Sequence, residues 1–413
     1  LTPLVIWRGE FAKLFWFGDD FLLLDQIDRM GFWPWLSQAF TESFAPVFKL
    51  LWGGAVFSFG GSYFALIALL WLTHACNTLG LGRLLTRAGF SWFTVASVQL
   101  VFGLSAANLE TLGWSVQWSA VLATTFFLCA LLWQEKHAAH LGTWRLRVHG
   151  PLLLFAAASA CSFSRGVLTG AVLALAILLP VAGASAGLLR SRLKLAALLL
   201  LPSAAVTLVI LLFARGNQQH PGGHILEMAR YAAGYFLLNP GYLLLGLTTW
   251  EPAPLLVLAA AKLALIYWGL RHATGRQRVG LLLLLAYDLG NAALLGLGRY
   301  HTGFETTITS RYNYSSLLAT LPFAALWLEH WLTRLITPSG VRRAVAVAAL
   351  AGMVWFGLQD WPRELASFTG WRGTDLRRLM ADQPAARAGA TVPALDYLRT
   401  DRAMELIHRY NLH

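Results

Sequence analysis

Apolar runs of bilayer length, recurring along one chain, constrain what this sequence can fold into more than any other feature. Residues 166–189, 195–213 and 313–333 are each long enough to cross a membrane, whose ~30 Å hydrocarbon core takes about 20 apolar residues in a helix. In lipid every backbone N–H and C=O must be paired within the chain, and helices do this locally. Only 13% of the 413 residues are charged and the mean hydropathy is +0.57, whereas a soluble domain is about a quarter charged. The expected fold is all-α: a polytopic transmembrane bundle of about 9–11 membrane segments over 1–358, with a small extracytoplasmic helical tail over 359–413.

A formal net charge of +12 could suggest nucleic acid. In a multi-pass chain it reads first as topology, because Lys and Arg accumulate in cytoplasmic loops. Arg83 and Arg87, then Lys136, Arg145 and Arg147, then Arg190, Arg192 and Lys194 all fall on one side if 51–79, 90–106, 113–133, 150–163, 166–189 and 195–213 alternate. The loop "RHATGRQR", 271–278, joins them only if 225–250 does not cross. "NPGY" at 239–242 supports a broken or re-entrant segment there. Residues 254–270, 280–297, 313–333 and 344–358 complete the bundle and leave the tail outside. Cys76, Cys129 and Cys161 lie in apolar stretches and give no disulfide framework. Residues 1–16 carry Arg8, Glu10 and Lys13 and do not read as a signal peptide; they are expected to form an interfacial helix or to follow an upstream span.

The outer loops collect Asp19, Asp20, Glu42, Glu110, Arg165, Arg299, Glu305 and Arg311. In "FGDDFLLLDQID", 17–28, two adjacent carboxylates sit among aromatics and leucines. They could cap the helix starting at Phe21. They could also act chemically: like charges side by side push one pKa up, which suits a general base, and two acids can hold a divalent cation such as Mg, Mn or Ca. Helical neighbours point about 100° apart, so one could face a reacting centre while the other fixes a metal (Asp20, if any) or an arginine. Glu42 and Glu110 read either as site acids or as helix N-terminal acids favoured by the macrodipole.

Arg311 and Tyr312, in "SRYNYSSL", and Arg299 before them could snorkel to an interface with belt tyrosines. Positive charge on the outer side opposes the topology rule, however, and a phosphate held bidentately would justify it. Arg165 in "CSFSRG" has the same outward address. His137/His140 and His220/His224 lack further ligands for a metal. No glycine-rich phosphate loop is present, and the sequon "NYS", 313–315, opens an apolar segment. The tail has amphipathic patterning at 374–381 and 394–410.

This arrangement resembles the GT-C glycosyltransferases, polytopic enzymes that take a sugar from a polyprenyl-phosphate lipid at the outer face of a membrane. Their acidic pair in the first external loop is matched by Asp19-Asp20 before Phe21, within a loop spanning about 18–50. A segment of the type "E-H-F-x-P-x-x-R-L" is matched by Glu42 to Leu50, with Ser43 for histidine and Lys49 for arginine. A late "S-R-Y" is matched by Ser310-Arg311-Tyr312. The resemblance implies that Asp19 or Asp20 is the general base and that Arg311, Arg165, Arg299 and Tyr312 bind the lipid phosphate. Glu42, Lys49 and Glu110 are further site candidates. It also implies a bacterial inner-membrane location with the site facing the periplasm, and a glycan, lipid or protein acceptor.

Three other classes fit less well. A lipid-linked glycan polymerase or ligase would need larger external loops. A transporter or flippase places charges near the midplane and usually shows internal repeats, and none is visible. A purely structural membrane subunit would leave the outer acids and arginines without a task.

Overall fold

The computed structural model describes residues 1–39, 43–141, 144–179, 186–213, 223–336, 338–370, 395 and 398–413. Among these the regular structure is helical, with no β-strand. The elements that build the bundle are α1 (Asp19–Met30), α2 (Pro46–Ser58), α3 (Tyr63–Arg87), α4 (Trp92–Leu104), α5 (Trp118–Lys136), α6 (Leu146–Ala160), α7 (Leu168–Leu178), α8 (Ala186–Phe213), α9 (Ile225–Leu238), α10 (Pro252–His272), α11 (Gly275–Arg299), α12 (Asn313–Leu335), α13 (Ser339–Gln359) and α14 (Thr400–Tyr410).

Among the described residues, six stretches are long and apolar enough to cross a membrane: Tyr63–Arg87, Ser115–Lys136, Leu189–Phe213, Pro252–His272, Gly275–Thr302 and Ser339–Thr369. Trp92–Leu104 and Ala106–Gly113, bent by 52°, make a seventh if they act together. This is an all-helical bundle of the multi-pass membrane type. In the run 166–189 the helix α7 ends at Leu178, residues 180–185 lie outside the described residues, and α6 is short, with 15 residues. The third long run forms the 23-residue α12. It falls outside the apolar class because it begins "NYSS" and carries Glu329, His330 and Arg334 near its end. The 225–250 segment breaks as its Pro-Gly pair implies, α9 ending at Leu238 before the short helix Gly241–Leu244.

Local chemistry fixes the helix ends. Ser91 accepts from the Thr94 amide at the start of α4, and Thr274 and Gln277 form a capping box on α11. Pro46 and Pro252 occupy first-turn positions, where no N–H is needed. Whereas α13 lies at the periphery and is mostly exposed or half-buried, helix α5 lies at the centre and is mostly buried. It packs on α3 and α6, while α11 packs on α7, α9 and α12. The Phe127 and Tyr287 rings stack at 4.0 Å where α5 and α11 face each other.

The described part of the tail sits at the same end of the bundle as α1. Arg402 of α14 reaches Asp25 at 2.8 Å and Asp28 at 2.6 Å, and Arg409 meets Asp28 at 2.8 Å. Trp361 stacks on Trp7 and donates its indole N–H to the Leu104 carbonyl at 2.6 Å. The first residues form short helices, Thr2–Ile6 and Arg8–Phe11, under this aromatic cluster. The amphipathic 374–381 lies outside the described residues, whereas 400–410 is helical as its pattern suggests.

Candidate functional site

A cavity of about 170 Å³ opens where the ends of five segments converge. The start of α1 contributes Asp19, the turn between α6 and α7 contributes Arg165, the end of α11 contributes Asn291 and Arg299, and the 310–312 turn contributes Arg311 and Tyr312. Ser43, Phe48, Trp114 and Gln117 complete much of the wall. Residues separated by almost 300 positions, chosen for charge in an apolar chain, thus share one space.

The acidic doublet divides its tasks. Gly18 turns the chain into α1 with φ +52°, a conformation that suits glycine, and from that turn the two carboxylates diverge. Asp19 is partly exposed and lines the cavity. Asp20 is fully buried: its Oδ1 accepts from Ser115 Oγ at 2.5 Å and its Oδ2 from the Phe17 amide at 3.3 Å. Trp52 donates to the same Ser115 hydroxyl at 2.9 Å, and the Ser115 amide donates to Tyr63 at 3.2 Å. Burial pushes the Asp20 carboxyl up to about 7. The bonds from Ser115 and Phe17 oppose that rise and the neighbouring Asp19 adds to it. Asp20 thereby ties α1 to the start of α5, and Asp19 is the half of the pair left facing the cavity.

Arg165 is 3% exposed, deep for a guanidinium. One amine nitrogen lies 3.4 Å from Ser315 Oγ, while Nε and Nη2 have no hydrogen-bond partner among the described residues. Its short helical turn packs so closely that a Cβ on Gly166 would overlap the Ser159 carbonyl oxygen, which holds Arg165 in place. Behind it lies a polar network inside the bundle. Tyr235 donates to Asp288 at 2.7 Å and meets Ser315 Oγ at 2.9 Å; Asn291 donates to both Tyr235 and Ser315. Lys262 donates to the Asn239 carbonyl at 2.6 Å and to Ser316 at 3.2 Å, and stands 3.7 Å from Asp288. The sequence reading missed Tyr235, Lys262 and Asp288. The available signal was an ionisable residue inside each of the apolar runs "AAKLAL" and "LAYDLGN", because such charges in membrane helices need partners.

Glu110 does not line the cavity but holds one of its walls. Its carboxylate accepts from Ser310 Oγ at 3.1 Å and from the Arg311 amide at 3.2 Å, and lies 3.9 Å from the Arg311 guanidinium. Thr111 donates to the Arg311 carbonyl at 3.3 Å, pinning the same turn. The Arg311 guanidinium lies 5.1 Å from the Tyr312 ring, its Nε without a hydrogen-bond partner among the described residues. Lys49 is buried away from the cavity, donating to the Trp35 and Gln38 carbonyls at 2.7 and 2.8 Å. It fastens the loop after α1 to α2. Glu305 is exposed outside the cavity, and Glu42 and His220 lie outside the described residues.

Among the described residues, no three His, Cys, Asp or Glu side chains converge as a metal-binding group. The two oxygens of Asp20 are already engaged by Ser115 and Phe17, so the described residues do not form a cation cage around it. Comparison with protein-family models, with curated proteins and with solved structures finds no match to this chain.

Proposed function

We propose that the chain is an integral membrane glycosyltransferase of the GT-C kind, moving a sugar from a polyprenyl-phosphate donor to an acceptor hydroxyl at the outer, periplasmic face of a bacterial inner membrane. The observation that carries this reading is the nearly buried Arg165, with two guanidinium nitrogens unpartnered among the described residues, in one cavity with Asp19. A desolvated guanidinium short of acceptors suits a phosphate, and a carboxylate in the same space suits a proton to be removed. Arg299 and Arg311 add positive charge to the same wall.

The proposed step needs no further participant. The acceptor oxygen forms a bond to the anomeric carbon as the bond from that carbon to the phosphate oxygen breaks. The hydroxyl proton passes to the Asp19 carboxylate, and the electron pair leaves with the polyprenyl phosphate. The transition state resembles an oxocarbenium ion, with negative charge growing on the leaving oxygen. Guanidinium donors fixed near that oxygen lower the barrier, and holding both substrates in one space supplies orientation. The enclosed position of Asp20 supports a positioning role for it, through Ser115. A cavity of about 170 Å³ is smaller than the ~300–1,000 Å³ typical of drug-sized ligands. That favours one sugar phosphate over a growing glycan, with the lipid chain outside.

The test is to incubate purified protein with a panel of hexosyl decaprenyl phosphates and a membrane extract as acceptor source, and to measure released decaprenyl phosphate. Release that disappears in Asp19→Asn supports the reading. No release from any donor, together with no decaprenyl-phosphate binding, overturns it.

A further inference from the structure

A second recess of about 530 Å³ lies at the other end of the same helices. Tyr63, Val116 and Arg299 mark the first end of α3, α5 and α11, while Arg87, Glu135 and Arg276 mark the second. On α11 alone Arg276 and Arg299 are 23 residues apart, about 35 Å at 1.5 Å per residue. That is close to a bilayer thickness. The second end also carries the basic loops.

Three arginines and one acid line this recess. Arg87 is spoken for, donating to Glu135 at 3.0 Å and to the Leu132 carbonyl at 3.1 Å. Arg192 is not: its Nε and Nη1 are buried with no hydrogen-bond partner among the described residues. Arg276 stands exposed at the rim, on the first turn of α11 where the helix dipole is positive. With Glu135 engaged by Arg87, the described residues of the wall offer no second acid to these two charges. Gln134 adds one neutral amide, and the rest of the wall is largely apolar, Leu131, Ile177 and Leu283 among it. Leu189 and Leu193, beside Arg192 on α8, are exposed on the outside of the bundle.

We infer that this recess binds the phosphate headgroup of an anionic glycerophospholipid from the leaflet at the basic end, with Arg192 and Arg276 as its ligands. Unpaired guanidinium next to apolar wall fits a phosphate that brings acyl chains with it, and basic recesses between membrane helices on the cytoplasmic side bind such headgroups. The site is remote from the cavity of Asp19 and Arg165 and is independent of the reaction proposed there.

Native mass spectrometry of the full chain in mild detergent tests this, with equal amounts of phosphatidylglycerol and phosphatidylcholine carrying identical chains. The wild type is expected to retain phosphatidylglycerol at least about fivefold over phosphatidylcholine, a modest share of what a charge-assisted contact can supply. The double variant Arg192→Gln/Arg276→Gln is expected to lose that preference, and Glu135→Gln to keep it. Equal retention of the two lipids by the wild type, or an unchanged preference in the double variant, overturns the inference. A phosphatidylglycerol with a photoreactive acyl chain gives a readout on the wild type alone, should the variant not fold. Crosslinks in 131–141 or 275–283 support the assignment, and crosslinks confined to 291–312 overturn it.

Discussion

Ser115 Oγ donates to Asp20 Oδ1 at 2.5 Å, joining the start of α1 to the entry of α5 across 95 positions of chain. The bond is enclosed, and Trp52 donates to the same hydroxyl. It fixes the roll of α1 about its own axis, and with it the direction in which the adjacent Asp19 points. A doublet that looks symmetrical in sequence is therefore unequal in space.

Asp19→Asn is expected to lower release of decaprenyl phosphate by about 10²–10⁴-fold, the usual contribution of a positioned base, with little change in thermal unfolding because Asp19 is partly exposed. Release assays and melting curves on the same preparation check this. Full activity in the variant removes Asp19 from the base role.

Replacing Arg165 by Lys keeps the charge but loses the planar fork. Sugar transfer, read as released decaprenyl phosphate, should fall by about 10²-fold or more, as when a transition-state donor is removed, and decaprenyl-phosphate binding should weaken in a tryptophan-quenching titration. Gly166→Ala should act in the same direction without touching the charge, because the added methyl would overlap the Ser159 carbonyl. Unchanged binding in both variants separates Arg165 from the phosphate.

The Asp20 carboxyl titrates near pH 7 when folded, against an ordinary value of 3.8. Between these values the unfolded chain has released the proton that the folded chain keeps, so stability from this group falls as pH rises. Its contribution is complete below about pH 4 and gone above about pH 7. Asp20→Asn, which has no proton to lose, should close on the wild type at low pH and exceed it at high pH. Melting temperatures of both proteins from about pH 4 to about pH 8, a window bracketing the two values, read this out; parallel curves would contradict it.

Arg402→Ala should loosen the tail. Asp25 and Asp28 are nearly buried, and Arg402 reaches both, so its removal should cost about 1.5–3 kcal/mol. Limited proteolysis should then cut between 370 and 400 faster than in the wild type, while Arg399→Ala, whose partner Asp401 is exposed, should leave cleavage unchanged.

Several of these features were visible in the sequence, for a physical reason. Asp19, Arg165 and Arg311 are charges in an apolar chain, and their position at segment ends placed them on one face before any packing was known. The partners were not visible. Lys49 and Glu110 read as site charges, but their roles depend on which carbonyls and amides the tertiary fold brings to them. Lys262 and Asp288 meet only because α10 and α11 turn particular faces toward α9 and α12, and periodicity does not reveal which faces meet. Hydropathy measures how greasy a run is and does not locate helix ends: within the run 166–189, α7 ends at Leu178.

The two nitrogens of Arg165 that lack a hydrogen-bond partner among the described residues also bear on the stage after bond formation. In the proposed reaction the incoming donor is a phosphodiester with one negative charge. The spent carrier is a monoester, bearing about −1.5 to −2 near neutral pH. A cationic niche that waits for an anion clings harder to the second than to the first. Turnover would then be paced by departure of the used lipid, with a rapid first cycle and slower ones after it.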